Sequence, residues 1–184
     1  MRSTSNGRLA SRGFTLMELM FTIAVAGVLV AVAVPSFRSM IANNRLMTQS
    51  TEVVSAINFA RSTAISRNKA VWFCRVNSEA DTDCAATLGE WDFFIVREAS
   101  SATVLRRGSL ADYDGTVSFE SDLAGDRMTF TPDGLAHNGI ATGALVNDNE
   151  LIVCSTTVTG ENMRVITVGA GSRLSTTKDE GDCT

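Results

Sequence analysis

The stretch that decides the fold is residues 13–34, Gly13-Phe14-Thr15-Leu16-Met17-Glu18 followed by LMFTIAVAGVLVAVAV. Between positions 14 and 34 the only ionisable side chain is Glu18; the rest is apolar, Gly or Thr. A run of that length is enough for a helix to cross a bilayer core of about 30 Å. Ahead of it, residues 1–13 carry Arg2, Arg8 and Arg12 and no acid. A basic head before an apolar run fits three things: a secretory signal removed whole, a permanent anchor, or a precursor cut before its apolar part. Ala31-Val32-Ala33 satisfies the small-residue rule of ordinary signal peptidase and would free a soluble domain beginning at Val34. Glu18 speaks against that, because a carboxylate inside an apolar run is costly in lipid and marks a functional position. Its bland alternative is a tolerated charge near a helix end, reaching back to head groups.

Gly before the cut, Phe after it and Glu five residues into the mature chain resemble the prepilin processing site of the type IV pilin superfamily. The resemblance implies that a prepilin peptidase cuts between Gly13 and Phe14 and methylates the Phe14 amine, and that Glu18 aligns subunits during assembly. The chemistry supports the pattern. The cut creates an amine at the membrane face, and the amine of a neighbouring subunit can neutralise a carboxylate that lacks a partner in its own apolar helix. Arg2, Arg8 and Arg12 keep the leader cytoplasmic by the positive-inside rule.

Downstream of Pro35 a helical period resumes at Phe37, Met40, Ile41, Leu46, Val53, Ile57, Ala60 and Ala64. This predicts one helix that kinks at Pro35 and continues to about Arg67, its second half amphipathic and packed on a globular domain. Beyond Asn68 the period shifts toward two. Residues 70–76, 91–97, 103–107, 116–119, 127–131, 151–155 and 163–168 read as short strands between Gly, Asp, Asn and Ser clusters. Helix first and strands afterwards predicts an α+β fold with an antiparallel sheet, like that of a type IV pilin. The expected organisation is a leader at 1–13, a transmembrane and assembly segment at 14–35, an amphipathic helical segment at 36–68 and a β-rich head at 69–184.

With 45% apolar and 20% charged residues the chain has the composition of one that folds. Its net charge of −4 becomes −7 once the three leader arginines are removed, which excludes a general polyanion binder. Cys74, Cys84, Cys154 and Cys183 are an even set with no Cys-x-x-Cys pair. Disulfides are the better reading, and loop-closure entropy favours Cys74 with Cys84 and Cys154 with Cys183. Two bridges imply an oxidising compartment such as the periplasm.

Within the superfamily, Ala60-Arg61-Ser62-Thr63-Ala64-Ile65 before the 71–74 strand resembles the GspH/FimT group of minor pilins and pseudopilins, with its FimU- and FimT-like members. Phe130-Thr131-Pro132-Asp133-Gly134, Leu151-Ile152-Val153-Cys154 and Arg164-Val165-Ile166-Thr167-Val168 resemble it too. There is one departure. FimT-like members that take up DNA carry Gly-Arg-x-Arg near the carboxyl end, whereas this chain has Gly171-Ser172-Arg173-Leu174, with an insertion through Lys178 and Glu180 before Cys183.

Enzyme signatures are missing from the sequence: no Gly-x-Ser-x-Gly, no phosphate-binding Gly-rich Lys loop and no His-Glu-x-x-His, so no catalytic residue, cofactor or metal is expected. His137 reads as a loop histidine. Acidic groups at Asp112 and Asp114, at 122–126 and at 148–150 match no EF-hand spacing and read as solvated turns. Trp72, Phe73, Trp91, Phe93 and Phe94 suit a stacking platform for single-stranded nucleic acid, yet alternate members of two strands more often fill a core.

The expected function is that of a minor pilin or pseudopilin, a non-enzymatic subunit that helps initiate or cap a type IV pilus. Its expected partners are other major and minor pilins, prepilin peptidase and an inner-membrane assembly platform. It would cross the inner membrane once with a periplasmic carboxyl domain before entering the filament. The alternatives are a type II secretion pseudopilin, or a DNA-capturing pilin acting through Arg164, Arg173 and Lys178, the only basic residues after Arg127. Nucleic acid is the less favoured partner, because phosphate contacts need clustered Lys or Arg.

Overall fold

The computed structural model describes residues 14–101, 103–110 and 115–183. The leader at 1–13, with Gly13 and the proposed cut, lies outside the described residues, as do Asp112 and Asp114. The chain divides into two compact units, one ending at Arg38 and the other beginning at Ser39.

Helix α1 runs from Leu16–Arg67, through Pro35 without interruption. Its start is capped by Thr15, whose carbonyl accepts from Leu19 N–H at 3.1 Å while its hydroxyl accepts from Glu18 N–H at 3.2 Å. Its end is a Schellman motif. Asn68 takes a left-handed φ of 52°, Lys69 N–H reaches Ala64 O at 3.2 Å, and Asn68 N–H reaches Ile65 O at 3.3 Å. This is the end that the apolar period predicts.

In the second unit α1 packs through a stripe of Ala42, Leu46, Val53, Ala56, Ile57, Ala60 and Ala64, all buried. The small residues at 56, 60 and 64 let the strands approach the helix closely. Phe37, Met40 and Ile41, expected on the same packing face, are exposed, so the packed stripe begins only at Ala42.

Among the described residues nine strands follow: β1 (Val71–Val76), β2 (Phe93–Glu98), β3 (Val104–Ser109), β4 (Val117–Ser121), β5 (Arg127–Phe130), β6 (Ala136–Asn138), β7 (Asn149–Ser155), β8 (Met163–Gly169) and β9 (Arg173–Asp179). They form two antiparallel sheets, in the orders β3-β2-β1-β5-β6 and β4-β7-β8-β9. The expected strands match all of these except β6 and β9. β6 is too short to show a period, and β9 is exposed except at Leu174, which packs on the core, so it carries no apolar alternation. One correction results: His137 lies on β6 opposite Thr129 rather than in a loop; Lys178, in the segment read as an insertion, lies on β9.

The main core joins α1 to both sheets through Phe73, Phe94, Phe130, Leu151 and Ile166. Trp91 bridges them, its ring 5.5 Å from Phe73 and 5.1 Å from Phe119. Gly108 faces Phe94 across β2 and β3 so closely that a Cβ would sit 2.1 Å from its ring, which leaves room only for glycine. A second, smaller core lies on the other face of the first sheet, where Cys74, Val76 and Ile95 are flanked by Trp72, Cys84 and Phe93. The expected aromatic set is thus split between two cores.

Cys74 is bonded to Cys84 and Cys154 to Cys183, each with Cα atoms 5.6 Å apart. The first bond holds the segment after β1 over the small core. The second ties the end of the chain back to β7, two strands in from the sheet edge.

Candidate functional site: the apolar helix and its carboxylate

Thr15 and Glu18 stand at the spacing of a capping box, which ends the helix at Thr15 and places the carboxylate in the first turn. There it faces the positive end of the helix dipole. Glu18 is exposed, and so is every described side chain from Phe14 to Val34; Phe14 itself is 80% accessible. Thr22, the next polar side chain, donates to Leu19 O at 2.9 Å, so its hydroxyl makes no demand on a partner. Among the described residues α1 is the one helix long and apolar enough to cross a membrane, and its most apolar stretch is wholly unburied. An exposed surface of this kind on every side of a helix is stable in lipid or against other apolar helices, and not in water.

The basic residues near the carboxyl end are arranged differently. Arg164 is buried, donating to Glu161 O at 2.9 Å, to Met163 O at 2.8 Å and to Asn43 Oδ1 at 3.4 Å. Lys178, opposite it on β9, is paired with Glu161 at 2.8 Å and holds that carboxyl below its ordinary range. Arg173 lies opposite Gly169 at the far end of the hairpin. Lys178 lies five residue steps further along the extended strand, roughly 17 Å away. The three charges therefore do not converge.

Ser172, which follows Gly171 at the turn into β9, is buried. Its φ is 61°, its hydroxyl accepts from Ala136 N–H at 2.7 Å, and its carbonyl accepts from Arg61 of α1 at 3.0 Å. The turn between β8 and β9 is thereby fastened to the helix and to the other sheet.

Sequence reasoning also missed the role of Asp126. Read as part of a solvated acidic turn, it is buried and ion-paired with Arg75 at 2.9 Å. Its oxygens also accept from Trp91 Nε1 at 3.1 Å, Gly89 N–H at 3.0 Å and Ser121 Oγ at 3.3 Å. The turn is real, with φ values of 62° and 48° at Gly125 and Asp126, but it points inward, where four donors converge on its carboxylate, three of them from sequence-distant places. Only the Gly-Asp pair signals it in the sequence. On β6, His137 Nδ1 lies 2.9 Å from Gly143 O, an acceptor that requires Nδ1 to carry the hydrogen. Among the described residues no three His, Cys, Asp or Glu side chains gather as a metal-ligand set.

A long exposed apolar helix continuing into a small disulfide-bonded sheet domain defines a type IV pilin-like protein. Residues 49–171 match the family model described as type II transport protein GspH, and residues 8–34 match the prokaryotic N-terminal methylation motif. The chain belongs to the GspH family. Two fimbrial proteins of Pseudomonas aeruginosa are 37% identical to it over 62 residues, a match spanning 34% of this chain and 40% of their own length. Among solved structures, the type IV minor pilin FimU of Pseudomonas aeruginosa PAO1 superposes with a TM-score of 0.51 at 18% identity, covering 72% of this chain and 88% of that one. A second crystal form gives 0.50 at 17% identity, covering 72% and 92%. At that identity the likeness is one of fold. The matched model is described as a type II transport protein, and the fold is shared with a type IV minor pilin.

Proposed function

We propose that this chain is a minor pilin that helps initiate or cap assembly of a type IV pilus. In this reading residues 1–13 are a leader cut after Gly13 by prepilin peptidase, and Phe14 becomes the N-methylated amino terminus. Residues 14–35 hold the subunit in the inner membrane and later pack against sister helices. The head from 69 onward is periplasmic, and the assembly platform moves the subunit into the filament. The observation that carries the proposal is an exposed apolar helical segment, up to Val34, whose one carboxylate, Glu18, sits in the first turn of α1. Unpaired in lipid, it is costly, and a neighbour's amine offsets that cost.

Glu18→Ala is expected to leave processing intact and to deplete the subunit from sheared surface filaments, whereas Gly13→Val blocks cleavage. Wild-type filament entry by the Glu18 variant removes the role given to that carboxylate.

A second reading, a pseudopilin of type II secretion, is supported by the description of the family model that matches residues 49–171. Deleting the gene separates the two: loss of surface pili supports the first, loss of exoprotein secretion with pili intact the second. DNA capture has less support, since Arg164 is buried and Arg173 and Lys178 lie at opposite ends of β9. Tight duplex binding in a gel shift, abolished by Arg173→Ala and Lys178→Ala, would reverse that order.

A further inference from the structure

Strand β9 is an edge held ready. It closes one side of the second sheet, and among the described residues no strand pairs with its outer side. Both of its ends are fastened. Ser172 and Arg61 fix the turn before it, and after it Cys183 is bonded to Cys154 while Asn162 exchanges hydrogen bonds with Gly181 at 2.8 and 3.1 Å. Ser175, Thr176 and Thr177 at its centre are uncharged, exposed and regular in register. Exposed edges are ordinarily blunted by charge, shortness or cover. Of the other edges, β3 carries Arg106 and Arg107, β4 carries Glu120, and β6 is three residues long and bridged by residues 144–146. β9 carries charge too, but only toward its ends, at Arg173, Lys178 and Asp179, with Lys178 paired with Glu161; Ser175, Thr176 and Thr177 between them have none of these devices.

The inner face of β9 opens onto a groove of about 780 Å³ between the strand and α1. Its apolar floor is Met47, Val54 and Val158, and Met47 is 66% exposed. An added strand hydrogen-bonded to β9 would project every second side chain over that floor. The edge is also polar end to end, with Arg173 at its start and Asp179, Glu180 and Asp182 at and beyond its finish.

A second copy does not fit. Parallel pairing of β9 with itself sets Arg173 beside Arg173 and Asp179 beside Asp179. Antiparallel pairing matches those charges, but its two-fold axis stands perpendicular to the sheet and so reverses the direction of α1 between copies. In the filament-subunit reading every copy presents its packed segment of α1 in the same direction, so this pairing is excluded.

We propose that β9 is the docking edge for an extended strand of a different pilin-like subunit, which is apolar where it faces Met47, basic opposite Asp179 and acidic opposite Arg173. The inference rests on the filament-subunit reading and adds to it the surface and the mode of contact.

The test places the photoreactive residue p-benzoylphenylalanine at Thr177 of the full chain, with Glu120 on β4 as control site, in cells that make the protein's own filaments. The expected result is a Thr177 adduct with a different pilin-like subunit, mapped by mass spectrometry to an extended segment, and severalfold weaker in the Asp179→Lys background. No adduct, or an adduct with a second copy, in a chain that still enters filaments overturns the docking edge and leaves the subunit reading standing. A chain absent from filaments whose only adduct is with an unrelated protein overturns both.

Discussion

Residues 14–34 and residues 42–64 belong to one helix, yet they solve opposite problems. The first segment is apolar on every side and exposed on every side; the second is apolar along one stripe, and that stripe is covered by two sheets. Secondary structure is the same in both, so the difference lies in the solvent each was built for. An all-round apolar surface has no preferred neighbour within its own chain and is satisfied by lipid or by copies of itself. A stripe one or two residues wide needs a partner of matching shape, and the alanines at 56, 60 and 64 give the sheets that shape.

One substitution made in both segments should break them in different ways. Ala60→Asp puts an unpaired charge among core side chains, a change that costs several kcal/mol and should leave no folded head. Val28→Asp should leave the head folded and instead prevent stable residence in the membrane, because the charge falls in the span. Limited proteolysis reads the first and membrane fractionation the second. A folded head in the Ala60 variant would mean that the stripe is not the interface described.

Truncation sharpens the same contrast. Leu46 is fully buried and Leu29 is not. Leu46→Ala should lower head stability by about 2–5 kcal/mol, and Leu29→Ala should lower it by nearly nothing. Both tryptophans, Trp72 and Trp91, lie in the head, so urea melts of the full chain in detergent, followed by tryptophan fluorescence, report on that segment alone.

A smaller effect is expected where α1 ends. Arg67 and then Lys69, at 2.8 and 3.0 Å, hold the nearly covered Glu98 carboxyl below its ordinary range. A carboxylate whose folded value is lowered contributes stability at pH above the unfolded carboxylate range, and that contribution disappears as the pH falls through the folded value. Acid should therefore loosen the junction between α1 and β1. Glu98→Gln should flatten this part of the stability profile between neutral and acid pH, and an unchanged profile would show that the contact is inert.

The apolar run and the α1 stripe were both legible in the sequence because each is a pattern of burial along a regular element, and the helix end at Arg67 followed from where that pattern stops. The same holds for β1, β2 and β8, which carry apolar side chains on a buried face. β9 was not legible: Ser175, Thr176 and Thr177 are exposed, and exposure leaves no period to read. Nor was the Arg75–Asp126 pair, whose members lie far apart in the chain and meet only because β1 and β5 are neighbours in a sheet. Period identifies elements. Which elements lie side by side, and so which buried charges find each other, is decided by tertiary packing that local patterns do not encode. The carboxylate proposed to act in assembly was legible for a third reason: Glu18 is the one ionisable side chain in an apolar run, a break visible without any fold.

The most direct test of the central claim is the intact mass of the mature protein recovered from the filament fraction. The account predicts a chain beginning at Phe14, with one methyl group on its amine and two disulfides. A chain beginning at Val34, or one that retains residues 1–13 within filaments, would contradict it.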